Sequence, residues 1–201
     1  QMNNGNISAS SVGVYLADNS ISTIAGGKIS YFSYGLYGNK VALFGINVLD
    51  KSVANVSSVS IEGFKKGISV EGTLNYGIKG DTDSDGNLNV SKENPIINVS
   101  DIGIDVTSKG IFNFYDGKVI GNTAISGIVN EIEDGYQIIS EQNESKEIKY
   151  LDKKMIVKNL STEKEYSDLQ DAINNASNKD TLQLINSVII MLSDTINIPS
   201  D

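Results

Sequence analysis

The chain has 201 residues and a net charge of −9, and it contains no cysteine or histidine. All 16 of its basic residues are lysines. This composition excludes disulfides, thiolate nucleophiles and imidazole bases, and the negative charge opposes binding to nucleic acid or to an anionic membrane surface.

A glycine followed by apolar residues recurs along the first two thirds of the chain. The glycines of this repeat are Gly13, Gly35, Gly67, Gly103 and Gly127. The intervals between them are too short for independent globular domains and are typical of short structural repeats that stack on their neighbours. The repeat therefore predicts a stack of short strands.

Residues 1–131 alternate between short apolar runs and turns of Gly, Asn, Asp and Ser. Period-two alternation indicates strands with one buried face, and we predict them at 12–16, 41–43, 59–61, 102–106, 112–114 and around 119. Gly-Gly-Lys-Ile at 26–29 is echoed by Asp-Gly-Lys-Val at 116–119.

Two all-β architectures fit this pattern. The repeat favours a right-handed parallel β-solenoid, or β-helix, with loop insertions at 45–60 and 79–96. An antiparallel β-sandwich is the alternative, because its short strands and frequent turns look similar locally.

An aromatic cluster follows the first strands and consists of Tyr31, Phe32, Tyr34 and Tyr37. Such a cluster can form a platform on which a sugar stacks. Packing into the core, with the tyrosine hydroxyls left in water, is the simpler interpretation.

The sharpest chemical motif is the acidic stretch 81–89, which begins like an EF-hand calcium loop and has Gly86 at its sixth position. Lys92 stands where that loop has its bidentate glutamate. We expect weak calcium binding, or else a solvated acidic turn; the predicted ligands are Asp81, Asp83, Asp85, the carbonyl of Asn87, and Asn89 directly or through water.

Four other carboxylates are candidates for paired acid–base work on a polysaccharide: Glu62, Asp101, Asp105 and Asp116. They form no recognisable motif, and exposed carboxylates are usually solvated. The sequence therefore predicts no catalytic residue.

The chain changes character after residue 131. We predict three segments: stacked strands over 1–131, a β-hairpin linker over 132–158, and a helix with strands over 159–201. Ser167 is the predicted N-cap of the helix at 168–176, whose Leu169 and Ile173 share one face. Alternating strands are predicted at 181–185 and 195–199.

The stretch from Tyr166 to Asp201 resembles the opening of right-handed parallel β-helix domains of the pectate-lyase-like superfamily. More narrowly, it is similar to the tandem modules of large repetitive bacterial surface proteins, in which a short helix caps the first coil. The resemblance implies that residues 159–201 open a following module, and that the protein is displayed outside the cell.

Together these features predict a non-enzymatic, extracellular module at the cell surface or cell wall. It would serve as a stalk or adhesin, with neighbouring modules and host or cell-wall glycans or proteins as partners. A polysaccharide lyase or hydrolase and a calcium-stiffened carbohydrate-binding module are the alternatives. The sequence shows no secretory signal and no membrane span, and we interpret it as a fragment of a longer polypeptide.

Overall fold

A computed structural model describes residues 1–32 and 43–186 and confirms an all-β fold with one short helix in this part of the chain. Two compact units are distinguished, Gln1–Asp152 and Lys153–Asp201. The strands and helix are β1 (Asn6–Ala9), β2 (Val12–Leu16), β3 (Ile21–Tyr31), β4 (Phe44–Val48), β5 (Val53–Glu62), β6 (Lys66–Val70), β7 (Thr73–Tyr76), β8 (Ile96–Asn98), β9 (Ile102–Val106), β10 (Ile111–Phe114), β11 (Lys118–Gly121), β12 (Thr123–Ser126), β13 (Glu131–Ile132), β14 (Tyr136–Asn143), β15 (Lys146–Lys153), β16 (Val157–Asn159), β17 (Glu165–Tyr166), α1 (Leu169–Asn174) and β18 (Leu182–Leu184).

Strands β1 to β13 of the first unit form three parallel stacks. Stack 1 is a separate sheet with the order β12-β9-β6-β4-β2. Stack 2 contains the N-terminal halves of β3 and β5, followed by β7, β10 and β13. Stack 3 contains β1, the C-terminal halves of β3 and β5, then β8 and β11. The chain passes through stacks 1, 2 and 3 in that order, so each pass lies beside the previous one.

Register between passes places like residues over one another in the core. In stack 1 the aligned series is Val14, Ile46, Ile68, Ile104 and Ile125. Burying a side chain of this size stabilises the fold by about 1.5–3 kcal/mol. Each pass thus covers the apolar residues of the pass before it, and the core runs continuously along the unit.

Stack 2 carries aromatic residues in its core. Tyr76 and Phe114 are register partners and are fully buried, and their ring centroids lie 5.8 Å apart in an edge-on arrangement. The Tyr76 hydroxyl donates a hydrogen bond to the Lys118 carbonyl at 3.1 Å, so this buried polar atom has a partner.

A ladder of asparagines follows the outer side of stack 2. The Asn75 Nδ2 donates to the Asn55 Oδ1 at 2.8 Å, and the Asn113 Nδ2 donates to the Asn75 Oδ1 at 2.8 Å. These residues are half-buried register partners in three successive passes. Their amides therefore join one pass to the next outside the apolar core.

The structure corrects which residues belong to the glycine repeat. Stack 1 aligns Gly13, Gly45, Gly67 and Gly103, and the next residue in the series is Ala124. Gly127 instead follows β12 with φ at +102°, and Gly35 lies outside the described residues. Alanine is accommodated at 124 because β12 is an edge strand, and among residues 1–32 and 43–186 no strand of this sheet lies beyond it.

Of the two predicted loop insertions, the second is found and the first is wrong. Residues 77–95 are an insertion between β7 and β8, as the sequence indicated for 79–96. The predicted insertion at 45–60 is wrong, because these residues form most of β4 and β5 and supply core side chains such as Ile46 and Val56. Of the strand predicted at 41–43, residues 41 and 42 lie outside the described residues.

The predicted linker contains a hairpin, but it belongs to the first unit. Strand β15 pairs antiparallel with β11 and thereby extends the sheet of stack 3. Leu151 of β15 is fully buried in the core of that unit. The Glu147 Oε2 accepts a hydrogen bond from the Ala124 amide of the edge strand β12 at 2.8 Å. The hairpin therefore covers the end of the first unit.

The second unit contains a small antiparallel sheet with the order β17-β16-β18 and the helix α1. The helix is shorter than predicted, and its N-cap is Asp168 rather than Ser167. The Asp168 Oδ1 accepts a hydrogen bond from the Asp171 amide at 2.7 Å, which is the usual N-cap contact. The predicted strand at 181–185 is found as β18, and the one at 195–199 lies outside the described residues.

Within the described ranges, no helix is long and apolar enough to cross a membrane.

Candidate functional site at the insertion

The 77–95 insertion is fastened to the body of the first unit at its beginning. The Gly80 amide donates to the Glu133 Oε2 at 2.9 Å, and Glu133 is only 4% exposed. Lys79 forms an ion pair with Glu131, which also accepts a hydrogen bond from the Tyr115 hydroxyl at 2.6 Å. Burial and the bond to Glu131 raise the pKa of Tyr115 to about 12, so this hydroxyl stays protonated and donates.

The end of the insertion is fastened as well. The Ser91 amide donates to the Asp116 Oδ1 at 2.6 Å. The Lys92 Nζ lies 2.7 Å from the Asp152 Oδ2 and 5.0 Å from the centroid of the Tyr150 ring. The insertion therefore contacts the stacked strands and also the hairpin that covers them.

The predicted calcium ligands form a hydrogen-bonded turn. The Asp83 Oδ1 accepts from the amides of Asp85 and Asn87, each at 2.9 Å. These bonds, chiefly the one from Asn87, lower the pKa of Asp83. The Asn89 Nδ2 donates to the Asp81 Oδ2 at 3.1 Å. Asp83 thus fixes its own turn, while Asp81 and Asn89 lie together at the base of the loop.

The predicted carbonyl ligand has a partner too. The Asn87 carbonyl accepts a hydrogen bond from the Asp83 amide at 2.9 Å. Residues 1–32 and 43–186 contain no group of three or more acidic side chains placed to hold a metal ion. Calcium binding by this loop would require it to exchange these hydrogen bonds for ion contacts, and it stays a prediction.

A polar cavity of about 190 Å³ lies under the insertion, and we call it the insertion cavity. The insertion contributes Ile78 and the polar residues Asp81, Asn89, Ser91 and Asn94. The body contributes Ser57 and Ser58 from the bend in β5, and Asp116 from the turn before β11. Three separate segments therefore bring carboxylates, carboxamides and hydroxyls to one space.

Asp116, one of the two carboxylates that line this cavity, is partly buried. Partial burial raises its pKa to about 6, and the charge of Asp81 acts in the same direction. The amides of Gly117 and Ser91 donate to it and oppose this rise. No lysine is among the described residues that line the cavity. The cavity therefore concentrates negative charge without a cation to balance it.

The other three candidate carboxylates lie apart from Asp116, and each faces a lysine. The carboxylate of Glu62 lies 2.5 Å from the Nζ of Lys28, and that of Asp105 lies 2.5 Å from Lys66. The distance from Asp101 to its lysine, Lys65, is 3.8 Å. These pairs connect neighbouring passes, so the sequence-based grouping of the four carboxylates does not correspond to a single site.

The structure describes two of the four residues of the aromatic cluster, Tyr31 and Phe32. The Tyr31 ring lies 6.3 Å from the Phe64 ring, centroid to centroid, and packs against the core. Phe32 is 49% exposed. Tyr34 and Tyr37 lie outside the described residues, so the sugar platform stays a prediction.

Sequence reasoning missed the part of the cavity that the body contributes. A signal was nevertheless present, because 26–29 and 116–119 occupy equivalent places in stack 3: Lys28 and Lys118 belong to one register series. Gly27 and Gly117 both have positive φ, at +89° and +92°. Aligning the two tetrapeptides would have placed Asp116 at the turn that opens stack 3, although not beside the insertion.

No family model matches the chain, and no curated protein or solved structure is significantly similar to it.

Proposed function

We propose that the first unit is a right-handed parallel β-solenoid that acts as a non-enzymatic structural module, a stalk or adhesin, on the outside of a cell. The observation that supports this most is the repeated order of stacks 1, 2 and 3 with register kept from pass to pass. In such a stack each pass contacts only its neighbours, so length can be gained by adding passes without redesigning the core.

The polar contacts support the same role. The asparagine ladder and the lysine–carboxylate pairs join successive passes on the outer surface. Each such contact contributes modestly, about 0.5–1.5 kcal/mol for a hydrogen bond and less for an exposed ion pair. Repeated along the stack, they favour a stiff module over a mobile one.

We also propose that the second unit opens a neighbouring module of the same polypeptide. Its helix α1 packs against β16 and β17 through Ala172, which is fully buried beside Val157 and Tyr166. A short amphipathic helix of this kind would cover the first strands of a new stack and protect their edges.

Incubation with a panel of pectins, glycosaminoglycans and cell-wall glycans tests the non-enzymatic role. We expect neither new reducing ends nor unsaturated products from the full chain. Asp116→Asn is the matched control, because burial raises the pKa of Asp116 to about 6, within the range of a working acid or base. Turnover by the wild type that disappears in this variant would replace the structural module with an enzyme.

A second measurement tests the module itself. In the full chain, the backbone amides of stacks 1 to 3 should be protected from hydrogen exchange, and these strands should resist cleavage by an extracellular protease. Rapid cleavage within the stacked strands would contradict a role as a stalk.

A further inference from the structure

The insertion cavity has a composition that the proposed structural role does not use. One oxygen of each lining carboxylate is already occupied: the Asp116 Oδ1 accepts from two amides, and the Asp81 Oδ2 accepts from Asn89. Asp116 Oδ2 and Asp81 Oδ1 accept no hydrogen bond from the described residues. Each of the two carboxylates therefore has one oxygen that can accept a hydrogen bond from a ligand.

The charge of the cavity selects a cationic guest. Two carboxylates, Asp81 and Asp116, line the cavity, and no lysine is among its described lining residues. A positive group placed between the two carboxylates would balance their charge, and its hydrogen bonds would be charge-assisted. A neutral guest would leave this charge unbalanced.

The remaining lining selects a guest with hydroxyl groups. Asn94 and the hydroxyls of Ser57 and Ser58 can both donate and accept hydrogen bonds, and Ile78 offers a small apolar surface. A volume of 190 Å³ corresponds to about six water molecules, so the cavity has room for a small polar molecule as well as for a hydrated ion.

We propose that the insertion cavity binds a protonated amino sugar, with its ammonium group between Asp81 and Asp116 and its hydroxyls on the asparagine and serine side chains. The parts of the cavity are held in place by the fastened insertion and by strand bends, so little ordering is needed on binding. A single sugar ring buries little surface, and the expected Kd is on the order of millimolar.

The test uses the full chain and glucosamine as the probe. The backbone amides of Ser91 and Gly117 report on the site directly, because both donate to Asp116. In ¹H–¹⁵N correlation spectra at pH 7, glucosamine should shift these two amides saturably. N-acetylglucosamine and glucose are the matched neutral ligands and should bind at least about tenfold more weakly, since they lack the charge.

Three variants complete the experiment. Asp116→Asn and Asp81→Asn keep an acceptor oxygen for their amide partners, so the fold should be preserved, and each should weaken glucosamine binding about tenfold or more. Asp50→Asn removes an exposed charge of the body that does not line the cavity, and it should bind like the wild type. A native spectrum in regions away from the insertion confirms folding.

Three outcomes would overturn the proposal. Equal binding of glucose and glucosamine would show that charge is not recognised. Undiminished glucosamine binding by Asp116→Asn would place the site elsewhere. The third outcome is that calcium chloride shifts the Ser91 and Gly117 amides through Asp116 while glucosamine does not. The cavity would then be a divalent-cation site.

Discussion

A Cβ atom on Gly67 would lie 2.4 Å from the carbonyl oxygen of Gly103 and 2.4 Å from the Cγ2 of Ile97. The first neighbour is backbone of the next pass and the second is a fully buried core side chain. Neither can move without shifting a strand. Gly13 and Gly45 stand in the same relationship to their own next passes. Stack 1 thus needs glycine for close approach between passes.

Gly67→Ala should therefore destabilise the first unit strongly. We expect a loss of about 2–4 kcal/mol, in the range of overpacking and strain within a core, and a melting temperature lower by about 5–10 °C. Gly86→Ala is the control, since its Cβ meets nothing within 4 Å and the only cost is a positive φ at an exposed turn. Thermal unfolding followed by circular dichroism measures both. Similar melting temperatures for the two variants would mean that the passes are not in close contact at Gly67.

The asparagine ladder predicts a dependence on position. Asn75→Ala removes two inter-pass hydrogen bonds, whereas Asn55→Ala removes one. At about 1 kcal/mol for each bond, Asn75→Ala should cost about twice as much stability as Asn55→Ala. Urea unfolding of both variants measures the ratio. Equal losses would show that the Asn113–Asn75 bond contributes nothing.

Glu147 links the covering hairpin to the edge of stack 1, and this gives a prediction about acid. Burial raises its pKa, but hydrogen bonds from Lys149, the Ala124 amide and Ser140 outweigh burial and hold the pKa below its usual value. A lowered folded pKa contributes stability that is present above the unfolded pKa and is lost as the pH falls through the folded one. At pH 7, Glu147→Gln should melt at a lower temperature than the wild type. At pH 3 this difference in melting temperature should be smaller.

Ser140→Ala is the milder companion variant, because it removes one of these bonds and leaves the carboxylate ionised. It should lower the melting temperature less than Glu147→Gln does at pH 7. A gap between wild type and Glu147→Gln that stays constant from pH 7 to pH 3 would argue against a role for the ionised form.

Asp116 should show the opposite pH dependence. Its folded pKa of about 6 lies above the ordinary value of 3.8, so the folded state holds more protons between these limits and stability falls as the pH rises through them. Compared with Asp116→Asn, the wild type should gain stability between pH 7 and pH 5. Because the carboxylate is partly exposed, we expect a relative shift of only about 2 °C.

Carboxyl carbon chemical shifts measure this titration directly. They should give Asp116 a midpoint near pH 6, and Asp81→Asn should lower it by removing a neighbouring charge. A midpoint near the ordinary value in the wild type would show that the cavity does not perturb this carboxylate.

Local pattern was sufficient to predict the all-β class and most strands, because alternation and turn residues act over a few positions. It misplaced the repeat, although Gly45-Ile46-Asn47-Val48 has the same form as the 67–70 and 103–106 segments. Gly35 also precedes an apolar residue but lies outside the described residues, and it is the contact between passes that places Gly45 in the series. The insertion cavity could not be predicted in the same way, because Ser57, Asp81 and Asp116 meet only once three passes are stacked.

The last prediction concerns calcium and the 81–89 loop. If the loop binds calcium, Asp83 must release the amides of Asp85 and Asn87 to turn its carboxylate toward the ion. This rearrangement and the lysine at position 92 both weaken binding, so we expect a Kd of about 10⁻⁴–10⁻³ M, the range of extracellular modules. Titration calorimetry should show calcium-dependent heat for the wild type and for Asp116→Asn but none for Asp83→Ala. The Asp116 variant separates this loop from the cavity below it. If several millimolar calcium gives neither heat nor a melting shift in the wild type, the hydrogen bonds of the turn outcompete the ion and the loop is a structural turn.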